Sequence, residues 1–202
     1  MNKTQTALAL GVLLSLGASA LAQNDTPGAM GAPMTTAPMT TPMTTAPMLG
    51  MPVTPTDRQF LIQDAQGSVS DYANGAAALN QGQSPAVRQF GIWLLQDHNR
   101  LNIGLLMLAQ RKGVVLPLTI SDADKTKLNT LTAKTGADFD RAFLQGAIQT
   151  NQQDISDAKK ELAATTDPEV RLLVTDYLTT EYGHLTAAQT IMAGMGKTTG
   201  RR

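Results

Sequence analysis

The sequence predicts an all-α fold: a four-helix bundle with a short extra helix in its crossover, preceded by a disordered N-terminal segment. Three observations predict it. After Asp57, apolar residues recur at alternating steps of four and three through four long segments, the spacing of a helical face turned toward partner helices. Turn and cap residues at Ser84-Pro85, Gly113 and Asp167-Pro168 divide these segments into two hairpins. A longer connection, Val114 to Gly136, lies between the hairpins. Two hairpins joined by one crossover is ferritin-like connectivity, and the length of the connection also permits an all-antiparallel bundle.

The first helix is expected over Asp57 to Gln81, capped by Thr56, with Leu61, Ala65, Ser68, Tyr72, Ala76 and Leu79 toward the core. Its small residues allow a neighbour to approach closely. Asp64 and Asp71, seven apart, lie on one edge of that face. The second helix starts at Ser84-Pro85 and stops at Gly113, with the stripe Val87, Gly91, Leu94, His98, Leu101, Leu105 and Leu108. Trp93 beside Leu94 reads as a packing residue. Ser121-Asp122-Ala123-Asp124 caps a short third helix carrying Leu128 and Leu131. The fourth runs from Ala137 to Ala164, with Asn151 in register with Leu144, Ile148, Ile155, Ala158 and Leu162. The fifth spans Pro168 to Met195, with the stripe Val170, Val174, Tyr177, Glu181, His184, Ala188 and Ile191. Three imidazole or carboxylate side chains, His98, Glu181 and His184, thus occupy positions where a bundle normally holds Leu or Ile.

Four parts are expected: a leader (1–22), a linker (23–56), the helical bundle (57–195) and a disordered tail (196–202). Residues 1–22 have the pattern of a cleaved Sec-type signal: Lys3, an apolar run from Ala7 to Leu16, then Ala20-Leu21-Ala22. The protein is therefore expected to be exported to the periplasm or cell envelope. The apolar run is short for a membrane span, so no transmembrane span is expected after cleavage. Residues 23–56 repeat Ala-Pro-Met-Thr-Thr and its variants, a composition without a core to bury. Six methionines sit there, Met30, Met34, Met39, Met43, Met48 and Met51. Their thioethers are soft ligands suited to Cu(I).

Several functions are excluded by composition. Basic and acidic residues balance at 16 each, and aromatics make up 4% of the chain. That offers neither a basic patch nor a stacking platform for nucleic acid. There is no cysteine, hence no disulfide, thiolate metal site or Cys nucleophile. A Ser or Thr hydrolase would need an elbow motif or an oxyanion loop, and neither is present.

The chemistry that remains is Glu181-Tyr182-Gly183-His184. Its i, i+3 spacing places Glu and His on one face, as in dinuclear carboxylate bundles. The other helices do not repeat the motif: Leu95 stands three residues before His98. A smaller site of His98, Glu181 and His184, with Asp71, would suit Fe, Zn or Mn. The alternative is a buried network in which a carboxylate or Asn151 hydrogen-bonds each imidazole.

Taken together, Asp57-Arg58-Gln59-Phe60, Ser84-Pro85-Ala86-Val87-Arg88-Gln89-Phe90-Gly91, Asp97-His98, Gly113-Val114-Val115-Leu116-Pro117, Asp138-Phe139-Asp140-Arg141 and Glu181-Tyr182-Gly183-His184-Leu185 resemble a bacterial exported family. That family is known as "predicted outer membrane protein", domain of unknown function 4142, and the resemblance covers about Thr56 to Ala193. It implies a ferritin-like fold and export, and no mechanism. Two positions depart from the family pattern: Asp71 stands where Glu is usual, and Asn151 where His is usual. The expected function is a non-enzymatic envelope bundle with a binding or stress-related role and an unidentified protein or envelope partner. The alternative is a metal-binding bundle using the His/Glu site.

Overall fold

A computed structural model describes residues 52–198, with side chains to Met195. The expected leader and nearly all of the Met-rich linker lie outside the described residues. Five helices are present among them: α1 Pro55–Gln81, α2 Pro85–Lys112, α3 Asp122–Thr132, α4 Gly136–Ala164 and α5 Pro168–Thr198. None of them is long and apolar enough to cross a membrane.

Local chemistry sets the helix ends. α1 is capped by Thr54, two residues before the expected Thr56. Thr54 Oγ1 accepts the Asp57 N–H at 3.1 Å, and Asp57 Oδ2 accepts the Thr54 N–H at 3.0 Å. This capping box places Pro55 in the first turn, where its missing N–H costs nothing. Val53 is buried, so the last residues of the expected linker belong to the bundle. Gly113 ends α2 at φ +64°, a left-handed conformation that suits glycine. Asp167 Oδ1 accepts N–H groups of Glu169 and Val170 at the start of α5. That helix continues to Thr198, beyond the expected end at Met195.

Side-chain ties fix the helix directions. Lys112, at the end of α2, pairs with Asp167 and Glu169 at the start of α5. Asp140, near the start of α4, accepts the N–H groups of Gln83 and Ser84 in the α1–α2 turn at 2.9 and 2.8 Å. α2 therefore ends at one end of the bundle and α4 begins at the other. The connection between α2 and α4 therefore runs the length of the helical bundle. α3 lies on this crossover against α1 and α4. It has no buried residue, and Leu128 and Leu131 are half-buried, because the helix covers the outside of the bundle.

The core divides into two apolar clusters. One gathers Phe60, Leu61, Leu105, Leu108, Ile155, Val170 and Val174 near the α2–α5 tie. The other gathers Val87, Phe90, Leu94, Phe139, Phe143 and Leu144 near the α1–α2 turn. The expected stripes of α2 and α5 are buried as read, except that Ile191 is half-buried. Trp93 is not a core residue; it is 46% exposed on the outer face of α2. In α1 the inward register is Asp57, Leu61, Asp64, Ser68, Asp71, Gly75 and Ala78. Tyr72 and Ala76 sit to its side, and Leu79 is exposed. At the foot of α1, Asp57 and Glu161 are both buried. Burial, and then the neighbouring Asp57, pushes the Glu161 carboxyl up to about 7.

The α1 register is set by glycine. A Cβ on Gly75 would lie 2.9 Å from the Gly91 carbonyl oxygen and from Leu94 Cβ, and one on Gly91 would lie 2.7 Å from the Gly75 carbonyl oxygen. The two backbones therefore touch where the glycines cross, and no larger residue fits between them. Gly75→Ala is expected to cost about 1–3 kcal/mol as α1 and α2 are forced apart. Urea unfolding should register this as a lower midpoint with an unchanged slope. An unchanged midpoint would mean that the contact yields freely.

Candidate metal centre

Between the two apolar clusters lies a polar layer to which all four long helices contribute. α1 brings Ser68, Asp64 and Asp71; α2 brings His98; α4 brings Asn151 and Asp154; α5 brings Glu181 and His184. His98, Glu181 and His184 are 1%, 0% and 3% exposed. Each offers one ligand atom, and these atoms lie within 4.8 Å of one another. The i, i+3 spacing on α5 stacks Glu181 under His184. The α2–α5 packing brings the His98 ring to 5.4 Å from that of His184, centroid to centroid.

The hydrogen bonds around the imidazoles decide which atoms remain open. His98 Nδ1 is 3.1 Å from Ser68 Oγ. His184 Nε2 is 3.0 Å from Asp97 Oδ2. An ionised carboxylate only accepts, so His184 carries its hydrogen on Nε2. The opposite nitrogens, His98 Nε2 and His184 Nδ1, are buried without a hydrogen-bond partner, as are both oxygens of Glu181. His184 Nδ1 stands 3.9 Å from Glu181 Oε2, beyond hydrogen-bond reach. The expected alternative, a network that closes off every imidazole nitrogen, is therefore half realised: one nitrogen of each ring is engaged and one is not. A histidine that binds a metal commonly has this form, its outer N–H held by an acceptor and its inner lone pair free.

Asp71 Oδ2 lies 3.9 Å from His98 Nε2, beside the three-residue group. Asn151 is buried, but its Nδ2 donates to the Ala147 carbonyl of its own helix at 2.7 Å. Asp64 and Asp154 also belong to the layer. Each lies three residues from an inward position, Asp64 from Leu61 and Asp154 from Asn151, a spacing that puts it at the edge of its stripe without deciding whether it joins the layer. The orienting partners Ser68 and Asp97 left no signal of that role, since they depend on which faces of α1, α2 and α5 meet.

The layer's electrostatics follow from burial. Burial and the neighbouring His184 depress His98 to about 3, so its ring is neutral. Burial alone would lower His184 too, but the carboxylates of Glu181 and Asp97 more than offset this and raise it. Burial raises Asp64 well above the usual carboxylate range, as do Glu181 and Asp154. Asp71 is raised likewise by burial, with Asp154 and Glu181 adding to it. Asp154 is pushed up to about 7, chiefly by burial and then by Glu181. The layer thus favours the protonated form of its outer carboxyls around one neutral and one more basic imidazole.

A family profile described as "Domain of unknown function (DUF4142)" matches residues 41–191. The chain belongs to that family. The match begins within the Met-rich repeats, ahead of the Thr56 boundary expected from the motifs. No curated protein matches. Two solved structures share the fold. A DUF305 fragment from Deinococcus radiodurans is 19% identical at a TM-score of 0.64, covering 70% of this chain and 98% of that one. CopM in its Cu(I)-bound form is 18% identical at a TM-score of 0.59, covering 69% of this chain and 96% of that one.

Asp154 provides a test of the layer. With its pKa pushed up to about 7 in the fold from an ordinary 3.8, the folded chain retains between those values a proton that the unfolded chain releases. Stability from this group is therefore present at low pH and is lost as pH rises through that window. Asp154→Asn in chelator-treated protein is expected to gain on the parent between pH 5 and pH 8 by at least about 1 kcal/mol. Urea unfolding at the two pH values measures this, and an equal difference at both would place Asp154 in solvent.

Proposed function

We propose that this protein is an exported metal-binding bundle that holds one transition-metal ion on His98, Glu181 and His184. The observation that carries the reading is the division of the imidazole nitrogens. Ser68 and Asp97 hold the outer ones, while the inner ones and the Glu181 carboxylate converge without hydrogen-bond partners in the core. A buried carboxylate that lacks hydrogen bonds is costly, and a cation on these atoms would remove that cost. Two imidazoles and a carboxylate leave a coordination position open, a set that suits Zn, Fe or Mn. The role is binding, and no nucleophile or oxyanion site argues for catalysis. Export is supported by the signal-like leader, with the Met-rich segment as the expected tether.

Elemental analysis of the full chain from its native compartment tests this reading. About one ion per chain is expected in the parent, and none in His184→Ala provided circular dichroism shows the same helix content. Asp97→Asn leaves the ligands in place but weakens the hold on the His184 ring, so affinity should fall by about 10–100-fold. A metal-free parent, or equal loading in parent and His184→Ala, would reject the centre.

Copper gives a second reading, favoured by the Cu(I)-bound structural neighbour and by six thioethers between Met30 and Met51. Those methionines are proposed as a separate Cu(I) site, since soft thioethers suit that ion better than the nitrogen and oxygen donors of the bundle. Replacing all six with Leu in the full chain should abolish Cu(I) binding and leave divalent loading of the bundle intact. Retained Cu(I) binding would remove the repeats from consideration.

A further inference from the structure

The three ligands are sealed from solvent, so an ion needs a way in. This inference rests on the metal-binding reading and asks by what route the site fills. Two sides of the centre differ. On one side, His184 Nε2 is hydrogen-bonded to Asp97, which is 41% exposed by its side chain. That bond closes the approach, and it turns an N–H outward, already given to Asp97, where a cation needs a lone pair. On the other side, a cavity of about 390 Å³ lies beneath α3, between α1 and α4. Leu94, Phe143 and Ala147 belong to its apolar lining, and Asp71 and Asn151 also line it. Asp71 then stands 3.9 Å from His98 Nε2, the open nitrogen of the site.

The cover of this cavity is the helix least anchored to the core. α3 has no buried residue, and it contributes Thr126, Lys127, Thr130 and Leu131 to the lining. Its Lys127 is neutralised by Asp124 at 2.9 Å. Asp124 lies close enough to Asp71 to act on it electrostatically. Carboxylates thus occur at successive depths, Asp124 on α3, Asp71 on the lining and Glu181 at the centre.

We propose that the cavity beneath α3 is the entrance to the His98–Glu181–His184 centre, and that Asp71 receives an incoming divalent cation there and passes it to His98. Asp71 is in this view a positioning residue on the path, not a permanent ligand. The step is ligand exchange only: Asp71 gives its proton to water as it takes up the cation and regains one on passing it to His98, while the cation sheds water and gains imidazole and carboxylate donors, with no change of oxidation state.

Stopped-flow binding of Co(II) to the full chain tests the route. Asp71→Asn keeps the side chain's shape and removes the carboxyl group that could exchange its proton for an arriving cation. It is expected to slow association and dissociation together by about tenfold, leaving the dissociation constant within about twofold, a change too small for a lost ligand. Ala147→Trp, which places a large ring in the cavity lining, should slow both rates likewise. Association unchanged in both variants would overturn the route while leaving the centre standing. A weakened dissociation constant with unchanged association in Asp71→Asn would make Asp71 a ligand and overturn its role on the path. A parent that takes up no Co(II) overturns the centre and the route with it.

A second measurement needs no metal. The chain lacks cysteine, so Asp71→Cys supplies a lone thiol inside the folded protein. A small cationic methanethiosulfonate should modify it at native pH, and adding Ala147→Trp should slow the reaction by about tenfold or more. A thiol that reacts only on unfolding would show that no passage reaches Asp71, and would overturn the proposal even if Co(II) binds.

Discussion

The constraint on which the structure depends is the burial of Glu181. Its carboxyl group is fully removed from solvent, and neither oxygen has a hydrogen bond. Such a group survives in a core only if positive charge or a cation stands near it. Beside it stands His184, whose Nδ1 is 3.9 Å away and open to a cation, and whose basicity the surrounding carboxylates raise. His98, one ring further, stays neutral and turns an unpartnered nitrogen toward the same space. The polar layer thereby separates two apolar clusters that each resemble an ordinary bundle core. Stability resides in those clusters, and chemistry resides in the layer between them.

The backbone arrangement serves that layer. The contact of Gly75 with Gly91 draws α1 against α2, and through it Ser68 reaches His98 and Asp71 lies beside it. The crossover leaves α3 outside the bundle, so the space between α1 and α4 is covered by a helix that buries nothing. At the ends, Asp140 holds the α1–α2 turn, and Lys112 holds the start of α5. These ties fix the helix directions, and direction decides which side chains share a level.

Much of this was legible in the sequence. The four long helices, the α2 and α5 stripes and the inward positions of His98, Glu181 and His184 follow from heptad spacing and cap residues. Membership of the DUF4142 family followed from the motifs. The first cap was misplaced because Thr54 and Thr56 are equivalent until Asp57 closes a capping box with one of them. The second half of α1 was misread because a small, weakly apolar face gives several registers equal support, and only the glycine contact selects one. Trp93 was misassigned because an aromatic beside a core leucine is one helical step, about 100°, from the core face.

The sequence by itself determined that polar, metal-competent side chains occupy core positions of a helical bundle, because periodicity along one helix depends only on that helix. Tertiary structure alone decided which nitrogen of each imidazole is engaged, that Asp64 and Asp154 join the layer, and that a cavity leads to Asp71. Each of these depends on how far two helices slide and rotate against one another. A heptad pattern fixes the inward face of a helix but leaves its height against its neighbours to packing, here to two glycines and the ties at the bundle ends.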